Sequence, residues 1–396
     1  MDVRHLLNDT PCHIVLLVVD GLGGFADADH GSELEEARAP NLDRLAAEGM
    51  TGLTHPVGPG ITAGSGPGHL ALFGYDPTRY PLGRGVLSAA GVEFDLRPGD
   101  VAARGNLARL DDDGKVADRR AGRIGDEPAQ AIVAKLNDRV DLDDVEVSFR
   151  HISDHRVLVV LRGDGLDPRV NDLDPQRVGV PPREPVAQDP AAERTADVLK
   201  RLDAAIRAAL DGEQADAVLL RGFDSFRELP TFGERYGLRA ATVARYPMYR
   251  GVAKLVGMTV LPKTGSPQEQ VGLMREHWDR FDYFFMHDKE TDRAGHDGER
   301  DAKIAAIEGI DAVIPDIVEL DPDVLVVTGD HATPTQLSAH SWHPVPTLVW
   351  GQSVGRDDVT SFGERACTGG LLGQRPAVDL MPIMLGAALR LEKFGA

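Results

Sequence analysis

Phe281-Asp282-Tyr283-Phe284-Phe285-Met286-His287-Asp288-Lys289-Glu290-Thr291-Asp292-Arg293-Ala294-Gly295-His296-Asp297 decides how this chain is read. Its first six residues form an apolar, strand-like run, and the rest is dense in ionisable groups. A strand that empties into Asp292 and His296, four residues apart, puts two metal-type ligands at its carboxyl end. That end is where open α/β sheets build their sites. Carboxylate and imidazole together suit Zn²⁺, Mn²⁺ or a similar divalent ion. A solvated loop with a helix cap would look the same in isolation, so the recurrence of the pattern carries the argument.

The pattern recurs at both ends of the chain. His13-Ile14-Val15-Leu16-Leu17-Val18-Val19 is a continuous apolar run, expected as a strand buried on both faces, and it ends in Asp20-Gly21. Asp323-Val324-Leu325-Val326-Val327-Thr328 ends in Gly329-Asp330-His331. Two further histidines, His340 and His343, precede the apolar run Thr347-Leu348-Val349-Trp350. Gly58 to Phe73 begins with glycines and prolines and turns helical at Leu70, with Ser65 near the start of the helix. There Ser65 is either an N-cap or a nucleophile beside free backbone N–H groups that suit a phosphate. A neighbouring metal would favour ionisation of its hydroxyl. Asp20, Asp292, His296, Asp330, His331, His340 and Ser65 together can serve two adjacent metal ions, a known arrangement for phosphoryl transfer.

These residues resemble the alkaline phosphatase superfamily and, within it, the archaeal type of 2,3-bisphosphoglycerate-independent phosphoglycerate mutase. The likeness runs along most of the chain. It rests on Val19 to Gly23, Ala39-Pro40-Asn41-Leu42-Asp43, Ser65-Gly66-Pro67-Gly68-His69-Leu70, Gly74-Tyr75-Asp76-Pro77, Gly83-Arg84-Gly85, Ala103-Arg104-Gly105-Asn106 and Asp118 to Arg123. Lys289 to His296, Gly329-Asp330-His331 and the His340 to Pro346 run complete it. The resemblance implies one metal held by Asp20, Ser65, Asp330 and His331, and another held by Asp292, His296 and His340. His343 is the alternative to His340 as the last ligand, and otherwise a contact for substrate. The implied ions are divalent, Mn²⁺ first, with Mg²⁺, Co²⁺ or Zn²⁺ as alternatives, and 2,3-bisphosphoglycerate is not required. The implied reaction interconverts 3-phosphoglycerate and 2-phosphoglycerate through phosphorylated Ser65. A phosphatase or phosphosugar mutase of the same superfamily is the alternative, and a non-enzymatic metal-binding protein the reading from another class.

The chain has 396 residues, 42% of them hydrophobic, enough for a sizeable core and two domains. Its net charge of −20, from 63 acidic and 43 basic side chains, argues against a nucleic-acid partner. No secretory signal and no membrane-spanning stretch is evident, and two cysteines, Cys12 and Cys367, make no disulfide framework. A cytoplasmic protein acting on a small molecule is the expectation.

The ligand motifs lie in the outer parts of the sequence. That split predicts an α/β core, with a mainly parallel sheet flanked by helices, from 1–76 and 226–396. A smaller α+β domain is inserted at 77–225. The insert is expected to hold strands at 101–107, 145–151 and 157–161 and a helix at 191–210. The proline-rich stretch 171–190 is expected as a loop, arm or flap. Hinges are placed at 74–85 and 221–230, and a core strand returns at 238–243. Arg84, Arg104, Arg120, Arg123, Arg156, Arg221 and Arg250 lie in glycine-bearing contexts, and planar guanidinium groups suit phosphate and carboxylate alike. With Asn106, Arg119, His155 and His343 they are the substrate-binding candidates. The insert is expected to exclude water as a lid.

Overall fold

The computed structural model describes residues 2–395. Its strands, in chain order, are β1 (Ile14–Val19), β2 (Met50–His55), β3 (Val101–Leu110), β4 (Val116–Asp118), β5 (Glu146–Ser153), β6 (Arg156–Arg162) and β7 (Ala217–Ser225). They continue with β8 (Ala240–Thr242), β9 (Thr259–Val260), β10 (Tyr283–Asp288), β11 (Val324–Thr328), β12 (Val345–Trp350) and β13 (Gly373–Pro376). The chain divides into two compact units, Met1–Pro81 with Leu229–Ala396, and Leu82–Glu228. Residues 77–81 therefore belong to the outer unit and 226–228 to the inserted one.

The outer unit is built on an eight-stranded sheet of order β13-β2-β12-β11-β1-β10-β8-β9. β11, β1, β10, β8 and β9 are mutually parallel, and β12 runs antiparallel to both of its neighbours. β1, β10 and β11 are buried along their whole length, as continuous apolar runs in a two-sided sheet require. Register aligns their ends: Val19 lies opposite Asp288, and Val18 opposite both His287 and Thr328. Asp20, Lys289 and Asp330 thus leave the sheet along one edge. Because β12 is reversed, the loop that enters it, with His340, returns to that same edge.

The inserted unit is a five-stranded antiparallel sheet in which β3 pairs with β4, β6 and β7, and β6 pairs with β5. The helices Asp126–Arg139 and Glu193–Ala209 bury one face, through Val101, Ala103, Val159, Leu136 and Leu202 among others. Ala89, from the helix Arg84–Gly91, packs with Ala102, Leu158 and Val160 on the opposite face. Residues 171–190 form an arm bonded to the sheet: Leu173 and Asp174 both donate to the Leu220 carbonyl, and Val116 donates to that of Val180. The expected hinge at 221–230 needs correction, since Arg221 to Ser225 finish β7, a strand the sequence reading did not anticipate. The returning core strand is Ala240–Thr242, shorter than 238–243. Among the described residues no helix is long and apolar enough to cross a membrane.

Candidate active site

Each ligand candidate is placed by a local rule. Asp20 follows β1 and is fully buried; Gly21, at φ +65°, turns the chain there. β10 runs on through Asp288, so Asp292 and His296 do not continue the strand but sit on the helix Glu290–Asp297. Their spacing of four puts them on one helical face. Ser65 is the first residue of the helix Ser65–Leu72, whose cap is Gly64. Its hydroxyl is therefore not an N-cap, and Oγ lies 3.1 Å from His331 Nε2. A Cβ at Gly68 would overlap the Asp330 carbonyl, so the bare glycine lets this helix rest against the β11 loop.

Around this edge two groups of ligand atoms converge, Asp20 with Asp292 and His331, and Asp292 with His296 and His340. Asp292 belongs to both. His331 Nε2 is 3.3 Å from Asp20 Oδ1 and 3.2 Å from Asp330 Oδ2. His340 Nε2 and His296 Nε2 are 3.5 and 3.6 Å from Asp292 Oδ1. His343 turns elsewhere, with its ring stacked between Phe25 and Trp342 and its Nδ1 3.0 Å from Ser341 Oγ.

The outer atoms of the histidines fix their inner ones. His340 Nδ1 donates to the Ala63 carbonyl at 2.8 Å, so in the neutral ring Nε2, which faces Asp292, is the nitrogen that carries the lone pair. Thr333 Oγ1 donates to Asp292 Oδ1 at 2.9 Å, so it must accept from His331 Nδ1, also at 2.9 Å. His331 Nε2 is then likewise a lone pair. Such outer hydrogen bonds are how metal-binding imidazoles are oriented.

The site is short of positive charge. Asp20, Asp292 and Asp330 are buried together, and Asp20 Oδ1 and Asp330 Oδ2 have no hydrogen-bond donor. Buried carboxylate oxygens without donors are costly, and a cation is what this donor set fits. Lys289 supplies part of the charge, its Nζ 3.0 Å from Asp20 Oδ2 and 2.5 Å from Asp292 Oδ2. Burial works against the Lys289 ammonium, but Asp20 and Asp292 hold its pKa above the ordinary lysine value. Burial alone would raise Asp20; the His287 hydrogen bond and Lys289 instead bring it well below the usual carboxylate range.

Sequence reasoning missed several residues here. Tyr249 donates to Asp20 Oδ2, and His287 Nε2 is 3.1 Å from the same oxygen, its ring stacked on Tyr249. His69 Nδ1 bonds the Ser65 carbonyl at 2.8 Å and lies 3.2 Å from Asp330 Oδ2. The available signal was a histidine inside an apolar strand at 287 and another beside the bare glycine at 68.

In the inserted unit, register gathers four of the substrate candidates. Arg104 lies opposite Arg221 on β7, and Asn106 opposite Arg156 on β6. Alternation puts all four on the sheet face that carries Ala102 and Leu158. Arg84 joins them, its side chain filling the space above Gly222, which has no Cβ and sits at φ +65°. Nε of Arg104, Arg156 and Arg221 and Oδ1 of Asn106 are buried without partners. Burial, then Arg156, Arg221 and Arg84, push Arg104 down to about 10. His155, buried, is lowered by desolvation and by Arg156, Arg120 and Arg104.

Other candidates stand apart. Arg119 is committed to buried Asp174 at 2.6 Å. Arg120 and Arg123 are exposed. Arg250 lies in the outer unit, where its guanidinium donates to the Ala244 and Leu261 carbonyls, a role in holding the backbone.

The sequence profile described as 2,3-bisphosphoglycerate-independent phosphoglycerate mutase matches residues 46–215. A protein of Thermus thermophilus named as a probable member is 48% identical, over all of this chain and 98% of its own length. One from Deinococcus radiodurans is 45% identical with the same coverage. Among solved structures, a Pyrococcus horikoshii protein aligns over 98% of this chain and all of its own, at 28% identity and TM-score 0.84. The cofactor-independent phosphoglycerate mutase of Thermoplasma acidophilum covers 95% of this chain and is itself fully covered, at 27% identity and TM-score 0.74. The chain belongs to the 2,3-bisphosphoglycerate-independent phosphoglycerate mutase family.

Proposed function

We propose that this protein interconverts 3-phosphoglycerate and 2-phosphoglycerate through a phosphoserine at Ser65, without 2,3-bisphosphoglycerate, as a cytoplasmic step of glycolysis and gluconeogenesis. The observation that carries the reading is the position of Ser65 Oγ at a helix N-terminus, 3.1 Å from a His331 Nε2 that itself approaches the donor-less oxygens of Asp20 and Asp330.

Asp20, Asp330, His331 and Ser65 would hold one divalent ion and Asp292, His296 and His340 the other, with Mn²⁺ the first choice. When bound, the two ions offset the negative charge of the transferring phosphoryl group. Ser65 Oγ attacks phosphorus and the glycerate oxygen leaves. The backbone N–H groups at the start of the Ser65 helix and the Lys289 ammonium stabilise the added charge. In the insert, Arg84, Arg104, Arg156 and Arg221 present guanidinium groups that suit the carboxylate of glycerate. Its other hydroxyl then takes the phosphoryl group back from Ser65. The Ser65 hydroxyl proton passes to the departing glycerate oxygen, and in the return step the proton of the other hydroxyl goes back to Ser65 Oγ. Exclusion of water while phosphoserine waits is what separates a mutase from a phosphatase.

A coupled assay with enolase tests this. Metal-stripped protein is given 3-phosphoglycerate, then Mn²⁺, Mg²⁺, Co²⁺ or Zn²⁺, with no bisphosphoglycerate and with free phosphate followed in parallel. Metal-dependent isomerisation with little phosphate is expected. Phosphate release without isomerisation would overturn the mutase reading.

A further inference from the structure

Behind the ligand residues lies a buried ionic cluster that no step above uses. Lys303 is fully buried. Its Nζ donates to the Gly23 carbonyl at 3.2 Å and to the Thr333 carbonyl at 2.9 Å, and it pairs with Glu33 Oε2 at 3.6 Å. Glu33, also fully buried, accepts from the Thr335 backbone N–H at 2.9 Å and hydroxyl at 2.5 Å. Glu364 accepts from the Gly24 N–H at 2.8 Å and from Ser32 Oγ.

The partners of this cluster are the backbones of the segments that carry the ligands. Gly23 and Gly24 continue the turn begun at Asp20. Thr333 and Thr335 continue the loop of Asp330 and His331, and the Thr333 hydroxyl links His331 to Asp292. Lys303 itself stands on the helix Arg300–Asp311, directly after the helix of Asp292 and His296. One ammonium therefore touches two ligand loops and is anchored to the third.

Burying such a pair confers little stability, since apolar groups of equal volume do as well or better. Lone carbonyls would also have been satisfied by a neutral donor. A cation at this place instead fixes the separation of two loops whose carboxylates repel one another.

We propose that Lys303, held by Glu33, is a positioning residue that sets the spacing of the metal-binding loops, and so governs divalent-ion affinity rather than the chemical step. This rests on the reading of the site as a two-metal centre. The comparison is between wild type, Lys303→Met and the charge-balanced Lys303→Met/Glu33→Gln double variant. Each is stripped of metal, checked by circular dichroism, and titrated with Mn²⁺ while free ion is followed by electron paramagnetic resonance.

The double variant is expected to fold and to bind Mn²⁺ roughly ten- to hundredfold more weakly, the range seen when outer partners of metal ligands are removed. At saturating Mn²⁺ its kcat and its KM for 3-phosphoglycerate should match wild type. A folded double variant with wild-type Mn²⁺ affinity overturns the proposal. So does a double variant that cannot fold, because the cluster would then be a determinant of the fold. So does a kcat that stays depressed at saturating Mn²⁺. A wild type that binds no Mn²⁺ would remove the two-metal reading itself, which the wild-type titration reveals separately.

Discussion

Replacing Arg104 with Met should make the protein more stable and less able to hold its substrate. In the folded insert Arg104 faces Arg156, Arg221 and Arg84, and among the described residues no ion pair reaches it. Its Nε is buried without a partner. A guanidinium brought from 12.5 to about 10 carries a substantial folding penalty. At about 1.4 kcal/mol per tenfold change in proton affinity this is roughly 3 kcal/mol, and solvent screening of a half-buried group reduces it to about 1–2 kcal/mol. Met keeps the apolar stem and drops the charge. A melting temperature about 3–6 °C higher follows for a unit of this size. The sign with pH is fixed as well. The folded state disfavours the cation, so the penalty is complete at every pH below about 10 and fades above it. The gap between wild type and variant should therefore be flat from neutrality to mild alkali.

Differential scanning fluorimetry in anion-free, low-salt buffer measures this gap, with Arg104→Lys as the control that retains the charge. Loss of one charge-assisted contact of about 1.5–3 kcal/mol should raise KM for 3-phosphoglycerate roughly ten- to hundredfold. Adding 3-phosphoglycerate should stabilise wild type far more than the variant. An Arg104→Met protein that melts below wild type in anion-free buffer, with unchanged KM, would show that Arg104 is an ordinary structural arginine and that the anion-site argument is wrong.

Ser65→Ala should lose mutase turnover to background while retaining its circular dichroism spectrum, and intact-mass spectrometry should find no phosphorylated form; substantial residual turnover would exclude the covalent route. His340→Ala should bind one Mn²⁺ fewer than wild type by titration, whereas His343→Ala should keep the wild-type number, because only His340 reaches Asp292. Gly21→Ala should destabilise the outer unit. A Cβ there would stand 2.6 Å from Thr333 Oγ1 and 3.0 Å from the Asp292 Cα. The left-handed backbone costs about 1–2 kcal/mol and the overpacking about 1–3 kcal/mol more. Calorimetry would detect that loss, and weakened Mn²⁺ binding should accompany it.

The candidate ligand residues were legible in the sequence because three adjacent parallel strands announce themselves as continuous apolar runs and each ends in an acid or a histidine. Asp20, Asp330 and His331 need only that pattern, and Asp292 and His296 need only helical spacing. Residues that support them depend on folding across the chain. Tyr249 reaches Asp20 from 229 positions away, and Lys303 reaches Gly23 from 280. No local period encodes such a meeting. β7 was missed for a local reason: Arg221, Gly222 and Asp224 read as a hinge, yet the two polar side chains pack along a sheet and Gly222 leaves room for Arg84. The arginines were over-counted for a related reason. Spacing cannot say that Arg119 already has Asp174, or that Arg250 is occupied by carbonyls, because burial and register decide which guanidinium remains without a partner.

Those unpartnered groups are the most informative feature of the folded chain. In the outer unit buried carboxylate oxygens of Asp20 and Asp330 lack donors; in the inserted unit buried guanidinium nitrogens of Arg104, Arg156 and Arg221 lack acceptors. A protein with a net charge of −20 has no shortage of carboxylates, and it pairs Arg156 with Asp154 and Arg221 with Asp174. That it leaves Arg104 without an ion pair among the described residues, facing Arg156, Arg221 and Arg84 at a cost to its own stability, calls for an anion from outside to complete it. The outer unit requires cations by the same reasoning. Two deficits of opposite sign, each with its own ligand class, are what a metal-dependent enzyme acting on a phosphorylated carboxylate needs. Neither would persist in a protein whose binding residues served the fold alone.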